Sequence, residues 1–216
     1  MKLWSDSFAD GATIPGEFAF CVIDLKNHIA VSSNRNPHLA WSDLPPGTQS
    51  LALICHDPDA PSRPDGVNKE NREIPVDLPR ANFFHWALFN INPSIIEIAA
   101  GSHSHSVMAH GKGGPVTHQQ MRHGLNDYTS WFAGDHDMDG DYFGYDGPCP
   151  PWNDALVHRY IFTLYALDVE QLQVEDKSTG PQILAALEGH VLGSAQFKGI
   201  YTLNPRLTRN NIQGQK

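Results

Sequence analysis

The chain has 216 residues, 40% of them hydrophobic and 18% charged, with a formal net charge of −9. That length and composition suit a single folded domain that buries most of its apolar surface, and they exclude disorder throughout. A field of that sign repels nucleic-acid phosphates and anionic lipid surfaces, which excludes nucleic-acid partners and electrostatic membrane docking.

The chain opens on MKLWSDSFADGATIP, which lacks the apolar core of a signal peptide. No window approaches the ~18 apolar residues of a membrane-spanning helix, so no integral membrane association is expected. Cys21, Cys55 and Cys149 are odd in number and far apart in sequence. They predict no disulfide framework and a reducing, cytoplasmic compartment.

Short apolar runs rich in β-branched and aromatic residues, punctuated by Gly and Pro, predict strands over 17–24, 50–56, 83–91, 159–167 and 199–203. The runs Phe84–Phe89 and Ile161–Leu167 are apolar on both parities, which places them in a sheet covered on both faces. Ser178-Thr179-Gly180-Pro181 carries cap chemistry and a first-turn proline. Ile183, Leu184, Leu187 and Val191 then share one helical face, and Gly193 is the expected stop. The fold class is therefore mainly β with a few helices. The segment 99–147 differs: it is Gly-, Asp- and His-rich, holds six of the twelve histidines, and is expected to be a long functional or mobile loop.

Three clusters carry chemistry. His56-Asp57-Pro58-Asp59-Ala60-Pro61 follows an apolar strand and suggests a rigid turn at its end. His85 lies within an apolar strand, where a buried imidazole needs partners for both nitrogens. Gly144-Tyr145-Asp146-Gly147-Pro148-Cys149-Pro150-Pro151 suggests a loop whose N–H groups form an anion nest. His158 and Tyr160 follow it, two apart on a strand and so on one face.

The order of these motifs, strand–DPDAP, HWALFNI, GYDGPCPP and HRYIFTLYALD, resembles the phosphatidylethanolamine-binding protein (PEBP) family, in particular its bacterial Raf-kinase-inhibitor-like branch. The run Asn36-Pro37 to Thr48 and the C-terminal stretch 181–201 are similar as well, so the likeness spans about Phe18 to Leu207. It implies an antiparallel β-sandwich core with a few peripheral helices. It further implies a pocket for a phosphate-type anion or a phosphoethanolamine-like headgroup, with a regulatory role. Carried over by motif, the ligand-binding residues are Asp57, Asp59, Pro61, His85, Gly144, Gly147, Pro148, His158 and Tyr160. The likeness also implies a cis peptide at Ala60–Pro61 and admits a homodimer. Two stretches depart from the family: 64–83 is longer and more charged, and 102–141 carries additions around Ala133–Asp141, which leaves ligand size open.

Asp57 could orient a histidine so that a ring N–H meets the anion, or could meet the ammonium of a zwitterion. No catalytic residue, cofactor or metal is expected. A hydrolase built on an Asp/His pair lacks a nucleophile, since Cys149 sits between two prolines with no base placed for it. His103-x-His105 and the D-x-D-x-D-G-D run of Asp135–Asp141 have metal-ligand flavour, but the twelfth position is Asp146 rather than glutamate. Inhibition of a protease or kinase through surface loops is the remaining alternative.

Overall fold

The computed structural model describes residues 1–208. Its strands in chain order are β1 (Lys2–Trp4), β2 (Cys21–Asp24), β3 (His28–Val31), β4 (Leu39–Ser42), β5 (Ser50–Pro61), β6 (Arg80–Ile91), β7 (Glu97–Ile98), β8 (Gly111–Lys112), β9 (Arg122–His123), β10 (Asp141–Tyr142), β11 (His158–Leu167) and β12 (Val191–Tyr201). Two α-helices, α1 (Tyr128–Trp131) and α2 (Gly180–Leu187), complete the regular structure together with short 3-10 turns.

The centre is an antiparallel sheet in the order β12-β11-β5-β6-β9. Both its faces are buried, as the doubly apolar strands predict. Leu51, Leu53, Cys55, Trp86, Leu88, Phe162 and Leu164 enter the larger core, which also takes Leu39 and Trp41 of β4 and Ile98 of β7. The three-stranded sheet β1-β4-β7 covers that side. Ala52, Ile54, Ala87 and Phe89 face the other way and meet Ile183 and Leu187 of α2. Alternation along a strand sends successive side chains to opposite faces, so a strand filled on both parities is stable only in such a two-sided position.

Several expectations are corrected. The DPDAP segment is no turn: β5 runs on through Pro61, with its register to β6 shifting between Asp57 and Ala60. Ala60 and Pro61 stay extended and pair with Ala81 and Arg80. The Ala60–Pro61 peptide is trans; among the described residues the cis peptide is Gly114–Pro115. Thr179 does cap α2, closing a box with Gln182. The helix, however, ends at Leu187, and Gly189 takes the left-handed conformation with φ +83°. Val191 and Gly193 belong to β12. The turn is tighter than expected because Asp168 and His190 link the end of β11 to the start of β12.

Cys21 and Cys149 form a disulfide across 128 residues of sequence. Distance in sequence misled here. The N–H groups of Phe20 and Cys21 both donate to the carbonyl of Pro148, which sets the two cysteines side by side. With two of the three thiols bonded, the cysteines no longer point to a reducing compartment. Cys55 alone stays a free, buried thiol.

The segment 99–147 is not structureless. It carries β8, β9, α1 and β10, tied by contacts such as the N–H of Asn126 to the carbonyl of Tyr142. Asp135 folds its carboxylate back onto the N–H groups of Asp137 and Met138, a local turn. Among the described residues no group of three or more His, Cys, Asp or Glu side chains is placed to hold a metal ion. No helix among them is long and apolar enough to cross a membrane.

Candidate ligand-binding site

Sheet order brings the chemistry together. β5 lies between β11 and β6, so Asp57, His158 and His85 come from three adjacent strands. They sit with Tyr160 at the floor of a cleft of about 830 Å³, within the usual size of small-molecule sites. All four are buried. Pro61 lines the cleft as well.

Asp57 and His158 form the rigid part of the floor. The Nδ1–H of His158 donates to Asp57 Oδ2 at 2.7 Å, and its Nε2 lies 3.1 Å from Asp154 Oδ2. Burial opposes a charge on this ring. Hydrogen bonds to Asp154 and Asp57, and the charges of both, outweigh it and raise the pKa to about 9. His158 is therefore an imidazolium with both N–H groups engaged by carboxylates. Arg80 neutralises Asp154 from the far side, with Nη1 2.6 Å from Oδ2. The second oxygen of Asp57 accepts the N–H of Asp59 at 2.7 Å.

His85 is the opposite case. Its Nδ1 lies 2.7 Å from the carbonyl oxygen of Asp146. A carbonyl only accepts, so Nδ1 carries the hydrogen. Burial pushes the ring down to about 4, against the pull of Asp57. The neutral ring thus has a lone pair on Nε2. Tyr160 packs its ring edgewise on His85, centroids 5.1 Å apart, and Tyr128 closes the other side at 5.8 Å.

The remaining expected residues divide. The register shift after Asp57 sends Asp59 to the far face, where Arg159 grips it through Nε at 2.8 Å and Nη2 at 2.7 Å. It is a strand-to-strand tie and does not line the cleft. Gly144, Gly147 and Pro148 do not line it either. The expected nest is already filled from within: the N–H of Gly147 donates to Asn34 Oδ1 at 2.8 Å, and the N–H of Asp146 donates to the carbonyl of His85. Gly147 is needed for close packing, because a Cβ there would lie 2.2 Å from the carbonyl oxygen of Phe18.

Sequence reasoning missed the group that holds this loop. Asp146 is fully buried and accepts from Asn34 at 2.7 Å, from Asn126 at 2.8 Å and from Lys112. These bonds fix the carbonyl that sets the His85 tautomer. It also missed Asp127, which lines the cleft and accepts the N–H of Phe84 at 2.7 Å. Burial raises its pKa, partly offset by that bond. Among the described residues no cation lies within ion-pair distance of Asp127. The only cue was an acid placed just before a run of aromatic residues. Trp131, Phe132 and Met138 of the 102–141 segment add apolar lining, and Arg63 and Val67 line the cleft as well.

A mostly β-stranded fold with one polar-floored cleft at the strand ends defines a class of small-ligand-binding domain. The chain belongs to the phosphatidylethanolamine-binding protein family, whose model matches residues 4–202. It is 31% identical over 201 residues to a UPF0098 protein of Methanothermobacter thermautotrophicus, covering 93% of this chain and 98% of that one. The UPF0098 protein YbhB of Escherichia coli is 27% identical, with 94% and 100% covered. Among solved structures, a PEBP homolog from Chlamydia trachomatis superposes with a TM-score of 0.60 at 28% identity, covering 93% of this chain and 95% of that one. YbcL of Escherichia coli shares the fold, with a TM-score of 0.66 at 23% identity over 93% of this chain and 97% of that one.

Proposed function

We propose that the cleft binds a small phosphate-bearing ligand, with a phosphoethanolamine-like head as the best fit. The observation that carries this is the polar floor of Asp57, His85, His158 and Tyr160 inside an otherwise apolar cleft. Family membership supports it in general terms. The phosphate would lie against His85 and the Tyr160 hydroxyl. Cys149 adds a donor, since it has the one N–H in the Pro148–Pro151 run and lines the cleft. Asp57 is engaged by His158, so the ammonium of a zwitterion would turn to Asp127 instead.

The reading is of binding rather than turnover. Cys149, the nearby candidate nucleophile, is tied up in the disulfide. The same bond suits an oxidising compartment better than the cytoplasm. Calorimetry with inorganic phosphate and phosphoethanolamine tests the proposal. Wild type should bind both, and His85→Ala should lose at least tenfold in affinity. Equal binding by the two proteins, or none by either, sinks it.

A further inference from the structure

Beyond the Tyr160 hydroxyl and the Cys149 N–H, the floor of the cleft is short of hydrogen-bond donors. Both ring N–H groups of His158 go to carboxylates, and the N–H groups of Asp146 and Gly147 are engaged inside the protein. His85 has given its one hydrogen to the carbonyl of Asp146. What His85 offers the cleft is an acceptor. A phosphate oxygen is an acceptor too, so the two repel unless one of them brings a proton.

The geometry points to a ligand that brings it: a phosphate monoester bound as its monoanion, with its P–O–H donating to His85 Nε2, in preference to any phosphodiester. This rests on the phosphate-binding reading above. A monoester has a second pKa near 6 and carries that proton in a useful fraction of molecules at neutral pH. A diester has no such proton and must wait for His85 to take one up. The groups facing His85 make that rare. Asp57 and His56 approach from β5, His158 and Tyr160 from β11, Tyr128 and Asp127 from the 126–131 region, and Lys112 stands behind Asp146. Burial opposes a charged ring most strongly, joined by His158 and His56, and outweighs Asp57 and the Asp146 carbonyl, which favour it. The charge of Asp57 is in turn matched by His158.

The consequence is selectivity by protonation. At pH 7 about one monoester in ten holds the proton, against roughly one His85 in a thousand for a ring pKa of about 4. A monoester should therefore outbind its matched diester by at least tenfold. Above pH ~6 monoester affinity should fall about tenfold per pH unit, as the ligand loses the proton.

Calorimetry on the full chain between pH 5 and 8 tests this with phosphoethanolamine, glycerophosphoethanolamine as the diester, and 2-aminoethylphosphonate, which holds its second proton more tightly. The expected result is a strong monoester preference at pH 7 and a break in the phosphonate profile displaced to higher pH. His85→Gln, with an amide that donates at any pH, should admit the diester and flatten the profile; its melting temperature reports whether it folds. Equal affinity for monoester and diester in the wild type, or a break that ignores the ligand's own pKa, overturns the proposal and leaves phosphate binding standing. Binding of none of the three at any pH overturns the phosphate reading itself.

Discussion

His158 and His85 are two buried imidazoles on the strands that flank β5, the first held charged by its carboxylate partners and the second held neutral by burial. His158 lies between two carboxylates, and its folded pKa of about 9 stands above the ordinary value of 6.5. Its contribution to stability is fully present below pH 6.5 and is lost as pH rises through about 9. His85 has a depressed folded pKa of about 4. Its contribution is present above pH 6.5 and is lost as pH falls through about 4. Nitrogen-15 imidazole spectra should show one ring charged to about pH 9 and the other neutral to about pH 4. His158→Ala leaves Asp57 and Asp154 buried without their shared cation and should cost about 3–5 kcal/mol of unfolding free energy. Both histidines were legible in the sequence, one on a doubly apolar strand and one two residues before Tyr160. Their opposite states were not, because these depend on Asp154 beside His158 and on the burial of His85, which only the fold places.

At the scale of elements, the strands were the most readable part. Core strands β5, β6 and β11 lie where apolar runs predict them, extended by residues whose pairing overrides their polarity. Arg80 and Asp57 pair with a neighbouring strand, while Asp59 sits in the register shift with its N–H bound by the Asp57 carboxylate and its carbonyl by Arg80. In sequence, the prolines of DPDAP suggest a turn. Pro61 instead ends a strand on the edge of its pairing with β6, a place proline tolerates. The nest failed for a similar reason: glycines at 144 and 147 were there for backbone shape and close packing, and Asn34, 113 residues away, claims the Gly147 N–H. The Cys21–Cys149 bond pins the start of β2 to the same loop. Cys21→Ser should lower stability by about 2–5 kcal/mol, read from denaturant unfolding, and reductant should do the same to the wild type while leaving Cys21→Ser unchanged.

Over the whole molecule, the family-level architecture was carried by the order of motifs, and the individual motifs said little alone. What the order conveyed was that 57, 85 and 158 must meet. What it could not convey was the character of the meeting place. The walls come from α1 and Met138 and from Arg63, Val67 and Asn68. The floor is built on one sheet, while the walls come from α1 and loops. On the proposed reading, strands select the polar head and the walls around them select whatever it is attached to.

The disulfide also makes most of the chain a covalent ring. Cys21 precedes the exposed stretch around Lys69–Arg72 and Cys149 follows it, so any break there opens the ring without releasing a piece. A single proteolytic nick after Lys69 should leave one full-mass band on a denaturing gel run without reductant, and two bands once the bond is reduced. Two bands in both lanes would mean that the ring had never been closed.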